Sequence, residues 1–238
     1  MTSPPRDGPV AAVVLAGGGG HRLGGVDKPG LHAGRRTLLE IVLAALQPAR
    51  GPNPQNTVPN PGPQFLPTVA PHSSTVAADG PVSCGGPAVV VVGPPRELPA
   101  GVALTREDPP GGGPAAALAA GFRALPELPP SGLVAVLAAD LPLITGGTIA
   151  RLCRAVSADP LVGGAVLIDL DGRRQHLIGV WRSASLAWAI SQRQRRQDWH
   201  GCSLRGLFAP IPVAEVPSVG DEAADVDNTA DLRRWLPR

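Results

Sequence analysis

The chain has 238 residues, 43% of them hydrophobic and 17% charged, with a formal net charge of +2; that length suits one sizeable domain and is short for two. Aromatic residues make up only 3%, with no Tyr, so the core has to be built from Val, Leu, Ala and Ile. The near-neutral balance and the lack of a dense basic tract argue against nucleic-acid binding, no apolar run reaches membrane-spanning length, and Cys84, Cys153 and Cys202 are too scattered for a disulfide framework or a zinc site.

In chain order, Met1 to Gly8 is short, polar and Pro-rich, without the apolar centre of a signal peptide. The expectation is a soluble cytoplasmic protein. Val10 to Leu15 reads as a buried parallel strand, apolar and β-branched, that runs into glycine. Thr37 to Gln47 has the spacing of an amphipathic helix. Arg50 to Pro87 is rich in Pro, Gly, Asn, Ser and Thr and almost uncharged. A segment of that composition buries too little to order itself, so an insertion at about residues 50–87 is expected to be disordered within a single domain spanning 1–238. Ala88 to Val92 and Val102 to Thr105 are the next strands. Pro109 to Pro114 forms a second glycine-rich turn before a helix over Ala115 to Leu125. Leu133 to Ala138 is a fourth strand, ending near Asp140, and Thr145 to Val156 a helix.

Gly164 to Asp169 and Gln175 to Trp181 flank Asp171-Gly172, a hairpin signal. A helix follows from Ala184 to about Arg193, and Arg193, Arg195 and Arg196 read as a solvated helix face or a local anion contact. Ile211 to Val216 is a late strand, and Thr229 to Leu236 a closing helix capped by Asn228 or Thr229. Strand–helix alternation up to residue 157 predicts an α/β fold, a mostly parallel sheet with helices on both faces, to which the hairpin adds an antiparallel element. Ligands of such sheets sit beyond the carboxyl ends of the strands. Gly17 onward, the second glycine turn and Asp140 all fall there.

Lys28 is the only lysine; the other twenty basic residues counted with it are arginine. It ends the run Gly17-Gly18-Gly19-Gly20-His21-Arg22-Leu23-Gly24-Gly25-Val26-Asp27-Lys28. The run is not a Walker A loop, since Lys28 follows Asp27 and precedes Pro29, and it fits no G-x-G-x-x-G register. What it offers is a flexible backbone with many N–H donors plus two cations, a combination suited to a triphosphate. The competing role is a turn that only reverses the chain.

Leu15-Ala16-Gly17-Gly18, then Arg22, Gly24, Asp27 and Lys28, resemble the loop of molybdenum cofactor guanylyltransferases and their nucleotidyltransferase relatives. The resemblance continues at Glu107-Asp108, Gly113-Pro114 and Ala139-Asp140-Leu141-Pro142. It closes at Asp225-Val226-Asp227-Asn228-Thr229-Ala230-Asp231-Leu232. The chain departs from the family pattern at Gly20, where a small polar residue is usual, and at Arg35, where glycine is usual. It departs again at Ala139, in place of Cys, and at Thr229-Ala230.

The resemblance implies one Rossmann-like, three-layer domain of the nucleotide-diphospho-sugar transferase type. It implies transfer of GMP from GTP to molybdopterin with loss of pyrophosphate and with Mg²⁺ as cofactor. GTP and molybdopterin are then the small-molecule partners of a monomer that meets other cofactor-biosynthesis proteins transiently. Nucleotide contacts fall on Leu15, Ala16, Gly17, Gly18, Gly19, Gly20, Arg22, Lys28, Asp108 and Gly113. Arg22, Lys28 and Asp140 are the catalytic candidates, and Asp140 and Asp227 the metal ligands, with Asp225 competing for the second place. The competing role of Asp140 is a helix N-cap or a turn former before Pro142, and that of Asp108 and Asp227 an exposed loop acid. Arg174, Gln175 and His176 are implied to face the acceptor. Three alternatives stay open: a CTP-dependent molybdopterin cytidylyltransferase, a guanylyltransferase for another phosphorylated cofactor precursor, and a non-catalytic nucleotide-binding regulator.

Overall fold

The structure, a computed structural model, describes residues 8–17, 25–47, 87–196, 199 and 202–235. Arg22, Gly18, Gly19 and Gly20 of the glycine run, and the expected insertion up to residue 86, lie outside the described residues.

Nine strands and six α-helices are described. β1 (Ala11–Leu15) is followed by a single 3-10 turn at Lys28–Gly30, then by the short strands β2 (His32–Ala33) and β3 (Arg36–Thr37) and by α1 (Leu38–Ala45). β4 (Ala88–Val92), β5 (Val102–Thr105), α2 (Pro114–Ala124), β6 (Leu133–Ala138) and α3 (Gly146–Ala158) complete the first part. The rest is β7 (Gly164–Ile168), β8 (Arg174–Arg182), α4 (Ser183–Arg196), α5 (Leu204–Phe208), β9 (Val213–Pro217) and α6 (Thr229–Trp235).

Seven strands form one sheet in the order β5-β4-β1-β6-β8-β7-β9, and β2 and β3 make a separate two-stranded ribbon around a turn at Gly34-Arg35. β5, β4, β1 and β6 are parallel. β8 alone runs against its neighbours: it pairs antiparallel with both β6 and β7, and β9 then pairs parallel with β7. The expected antiparallel hairpin is therefore built into the main sheet. Its connection runs from Asp169 to Arg173, longer than a two-residue turn, because the Asp169 carboxylate gathers the backbone N–H groups of Asp171 and Arg173.

Strand residues alternate between the two faces, as a period of two requires. Ala12 and Val14 of β1 join Leu137 of β6 beneath α1 and α3, where Val42, Leu43, Ile149 and Leu152 pack on them. Ala11, Val13 and Leu15 face the other way with Val136 and Trp181, under Leu118, Leu186 and Phe208 of α2, α4 and α5. Among the described residues the core is almost wholly aliphatic, and buried Trp181 and Phe208, stacked with ring centroids 3.8 Å apart, are its aromatic exception. Helix starts follow local chemistry. Thr37 and Glu40 form a reciprocal capping box on α1, Thr145 caps α3, Ser203 caps α5, and the Asn228 carboxamide accepts from the N–H groups of Ala230 and Asp231 at the start of α6.

Candidate active site

Three segments meet at the carboxyl edge of the parallel strands. The first follows β1. Ala16 continues the ladder by donating to the Val92 carbonyl. After residues 18–24 the chain re-enters at Gly25 and tightens into the turn at Lys28, where Gly30 donates to Asp27 and Leu31 to Lys28. Pro29 is buried and α1 packs against this turn, so the Lys28 backbone sits on a firm base.

The second segment follows β6. Ala139 donates to the Leu15 carbonyl, one step past the end of the strand, and Ala139 and Leu141 are both buried, which pins Asp140 between them. The third lies between β9 and α6. Fully buried Val226 anchors it, and the Asp231 carboxylate accepts from the N–H groups of Asp227 and Asn228.

These segments bring three of the expected residues together. The Lys28 ammonium lies 2.5 Å from Asp227 Oδ1 and 3.5 Å from Asp140 Oδ2. The three side chains are 17%, 41% and 21% exposed respectively, so the cluster is partly desolvated yet open on the Asp227 side. Burial works against the charge on Lys28, but the hydrogen bond to Asp227 and the charges of Asp140 and Asp227 outweigh it and hold the ammonium above its ordinary range. Burial pushes the Asp140 carboxyl up, and the nearby Lys28 offsets this only in part. Asp225 is pushed up to about 6 by desolvation and then by the charges of Asp227 and Asp140. One ammonium thus serves three carboxylates.

That imbalance is the test of whether these residues fit a divalent cation. Among the described residues no group of three or more His, Cys, Asp or Glu side chains is assembled to hold a metal unaided. A pair of carboxylates that takes the rest of its ligands from phosphate and water is what Mg²⁺ prefers, and Asp140 with Asp227 fits that description. The shortage of positive charge is of the right sign.

The remaining expected residues stand around this cluster. Leu15 and Ala16 are buried at the end of β1 and Gly17 is exposed beyond them. Gly113 is the N-cap of α2 at φ 89 and ψ 175, a conformation open essentially to glycine. Asp108 is exposed and lines a cavity of about 330 Å³ with Gly112, Arg123 and Trp199. Of the residues expected to face an acceptor, Gln175 is committed to Asp169 at 2.7 Å and Arg174 pairs with Glu215 at 2.6 Å. His176 differs. It lines a larger cavity, about 680 Å³, with Arg173, Arg174, Arg205 and Phe208, and its Nδ1 is buried with no partner. Burial, then the charges of Arg174 and Arg205, holds the His176 pKa down.

Two residues at this edge carry no motif in the sequence. Arg96, four residues past β4, reaches Asp27 and the Ala16 carbonyl. Glu222, 7% exposed, accepts from Thr148 Oγ1 and the Val219 N–H and pairs with Arg151, which fastens the segment carrying Asp225 and Asp227 to α3. A basic residue delivered by Pro-Pro to the carboxyl edge of a buried strand is the signal that would have pointed to Arg96. Glu222 leaves no comparable trace.

A family model described as MobA-like NTP transferase domain matches residues 12–206. Among solved structures, molybdopterin-guanine dinucleotide biosynthesis protein A from Archaeoglobus fulgidus is 16% identical, with 95% of this chain and 96% of that one covered at a TM-score of 0.57. The 2-C-methyl-D-erythritol 4-phosphate cytidylyltransferase from Thermus thermophilus is 20% identical, over 94% and 95%, with a TM-score of 0.57. A nucleotidyl transferase from Methanothermobacter thermautotroptrophicus is 18% identical over 96% of both chains at 0.60. At these identities the likeness is one of fold. Against curated proteins the sequence has no significant match.

Proposed function

The chain belongs to the family of MobA-like NTP transferase domains, and from that premise we propose that it is a Mg²⁺-dependent nucleotidyltransferase that moves GMP from GTP to molybdopterin and releases pyrophosphate. The observation that carries the reading is the convergence of Lys28, Asp140 and Asp227, from three distant parts of the chain, at the carboxyl edge of the sheet.

The chemistry asks little of a general base. An acceptor phosphate is already anionic; one of its oxygens attacks the α-phosphorus in line, the bond from that phosphorus to the bridging β-oxygen breaks, and the electron pair leaves with pyrophosphate. Catalysis is then positioning and charge neutralisation. Lys28, at the foot of the glycine run, gives up part of its carboxylate contact to a phosphate oxygen of the nucleotide. As a compact point charge it suits a single oxygen better than a guanidinium fork does. Arg22, in the same run, shares the β- and γ-phosphate charge. Asp140 and Asp227 would hold Mg²⁺, which when bound neutralises phosphate oxygens and orients the triphosphate. The N–H groups at the start of α2, behind Gly113, favour an anion, and Asp108 lies on the side of the nucleotide's base and ribose. The acceptor occupies the cavity of Arg173, Arg174, His176 and Arg205, where neutral His176 has an unused ring nitrogen.

A cytidylyltransferase shares this fold at the same TM-score as a guanine-dinucleotide protein, so the decisive experiment compares bases. Pyrophosphate release is measured with ATP, GTP, CTP and UTP, each with Mg²⁺ and molybdopterin. Release with GTP above the other three supports the proposal. Preference for CTP reassigns the donor, and nucleotide binding without release for any of the four makes the protein a nucleotide-binding regulator.

A further inference from the structure

We propose that Arg96 is a positioning residue: its guanidinium clasps the two flanks of the glycine-rich run and so sets where Lys28 presents its ammonium. The functional consequence rests on the reading of Lys28 given above; the clasp itself does not.

Arg96 Nη2 donates to the Ala16 carbonyl at 3.3 Å and to Asp27 Oδ1 at 3.0 Å, while Nη1 reaches Asp27 Oδ2 at 3.5 Å. Ala16 is the last buried residue on the β1 side of the run, and Asp27 immediately precedes Lys28. A single side chain from a third segment therefore joins both ends of residues 17–26. Nη2 alone meets both the carbonyl and the carboxylate while Nη1 adds the second carboxylate oxygen, a grip from two nitrogens that the single nitrogen of a lysine cannot reproduce.

The approach to this position is constrained at each step. Gly93 donates to Thr105, which keeps the exit of β4 in line with β5. A Cβ on Gly93 would lie 2.8 Å from the Ala16 oxygen and 2.9 Å from its carbon, so any side chain there would push the segment off β1. Pro94 and Pro95, each with φ held by its ring, then lead to Arg96.

The energetics point away from a merely stabilising pair. The Arg96 side chain is 11% exposed while that of Asp27 is 60% exposed. A pair with one end in solvent contributes little to stability. Burying a guanidinium for its sake costs hydration, and the buried Arg96 Nε has no partner to offset that cost. The arrangement is explained by where it puts Asp27. Because Asp27 opens the turn that carries Lys28 and Pro29, and that turn rests on α1, fixing the Asp27 carboxylate fixes the direction in which Lys28 leaves the backbone.

The absence of any other lysine makes this testable at the residue itself. Wild type, Arg96→Gln, Arg96→Lys, Asp27→Asn and the Arg96→Gln/Asp27→Asn double variant are treated with an N-hydroxysuccinimide ester at fixed pH. Acylation of Lys28 relative to the N-terminal amine is followed by peptide mass spectrometry, with melting temperatures recorded alongside. The expected result is a several-fold faster reaction of Lys28 in Arg96→Gln and in Asp27→Asn, no further increase in the double variant because both remove one coupling, and no rescue by lysine. Unchanged labelling in the single variants, or additive effects in the double, overturns the proposal. Asp27→Asn alters an exposed carboxylate, so it keeps the test valid should Arg96 variants fold poorly. In steady-state pyrophosphate release, Arg96→Gln is expected to raise KM for the nucleotide about tenfold while leaving KM for the acceptor near wild type; normal values for both overturn it. Should wild type release no pyrophosphate with any nucleotide, the transferase reading fails while the labelling result still decides the clasp.

Discussion

One short segment between β9 and α6 contributes carboxylates to two clusters, and they are built on opposite plans. Glu222 is buried, accepts from Thr148, Val219 and Arg151, and has as many donors as a carboxylate can readily use. Burial opposes its charge, but these hydrogen bonds and the Arg151 charge outweigh it and hold its pKa down. A few residues on, Asp225 and Asp227 join Asp140 around one ammonium, and there Asp140 and Asp225 have raised pKa values. The first cluster is complete in the folded protein alone. The second is short of positive charge, a condition that binding a cation or an ordered ligand can relieve. Such a difference separates a fastening from a site more reliably than the residue types do, since both are acids in the same loop.

The largest effect should come from Asp140→Asn, which keeps the shape and removes the charge. Turnover is expected to fall at least about a hundredfold, on the order of 2.7 kcal/mol in transition-state stabilisation, with the melting temperature unchanged or slightly raised because a strained carboxylate is gone. Nucleotide should still bind, as seen by calorimetry. Near-normal turnover in saturating Mg²⁺ would remove Asp140 from the metal site and dissolve the contrast between the clusters.

Glu222→Ala should do the reverse. It strands Arg151 and Thr148 and frees the segment from α3, at a cost of about 3 kcal/mol, read in urea as a lower midpoint with an unchanged slope. Activity per folded molecule should fall by much less than in Asp140→Asn. A variant that is fully stable but inactive would place Glu222 in the chemistry instead.

Part of this contrast is legible in the sequence. Ala88–Val92 and Leu133–Ala138 stand where the apolar runs put them, because a strand covered on both faces leaves a continuous apolar signature, and the half-exposed edge strand Val102–Thr105 stands where its short apolar run put it. The position of Asp140 just past the end of a parallel strand is legible too, and Lys28 is marked as the only lysine, at the end of the glycine run that follows another. That Asp227 meets them is legible only through the order of motifs in a resembling family. Arg96 is marked in the sequence only by Pro94-Pro95 beyond a buried strand, and Glu222 by nothing. The Asp27 partner of Arg96 lies 69 positions away and the Arg151 and Thr148 partners of Glu222 lie 71 and 74 away, and long-range pairing leaves no periodicity. α5 escaped for a different reason: five residues are too few to show a helical repeat, and its Ser203 cap stands alone. The turn at Gly34-Arg35 resolves the shift at Arg35, for Gly34 takes the positive φ of 66 that a hairpin turn needs.

Lys28→Arg should have a smaller effect than Asp140→Asn, because charge is preserved. A guanidinium is wider than the ammonium now held between Asp140 and Asp227, and kcat/KM is expected to drop about tenfold, ~1.4 kcal/mol. The protein should remain about as stable as wild type, because arginine keeps the positive charge facing Asp140 and Asp227 and the cluster is open on the Asp227 side, which leaves room for the longer side chain. Wild-type kcat/KM in Lys28→Arg would mean that the acid cluster needs only a positive charge and not this particular one.

The smallest effect is one of pH, and it bears on the fastening rather than the site. The Glu222 pKa in the folded protein lies below its ordinary value of 4.5. A carboxyl depressed by folding contributes stability that is present in full above the unfolded pKa and is lost as pH falls through the folded one. The contribution of Glu222 should therefore be constant from neutral pH down to about 5 and disappear progressively below 4.5 as the carboxyl takes up a proton and its pairing with Arg151 fails. The comparison is with Glu222→Gln, which cannot titrate; its carbonyl oxygen still accepts from the Val219 N–H, and its amide N–H can donate to Thr148 Oγ1 in place of the bond that Thr148 now donates. Melting curves of both proteins between pH 7 and about pH 3 should show wild type ahead by a few degrees at neutral pH and the gap closing in acid. A gap that stays constant to the acid limit would show that the carboxylate charge is not what ties the segment to α3, and would leave packing around Val226 as the fastening.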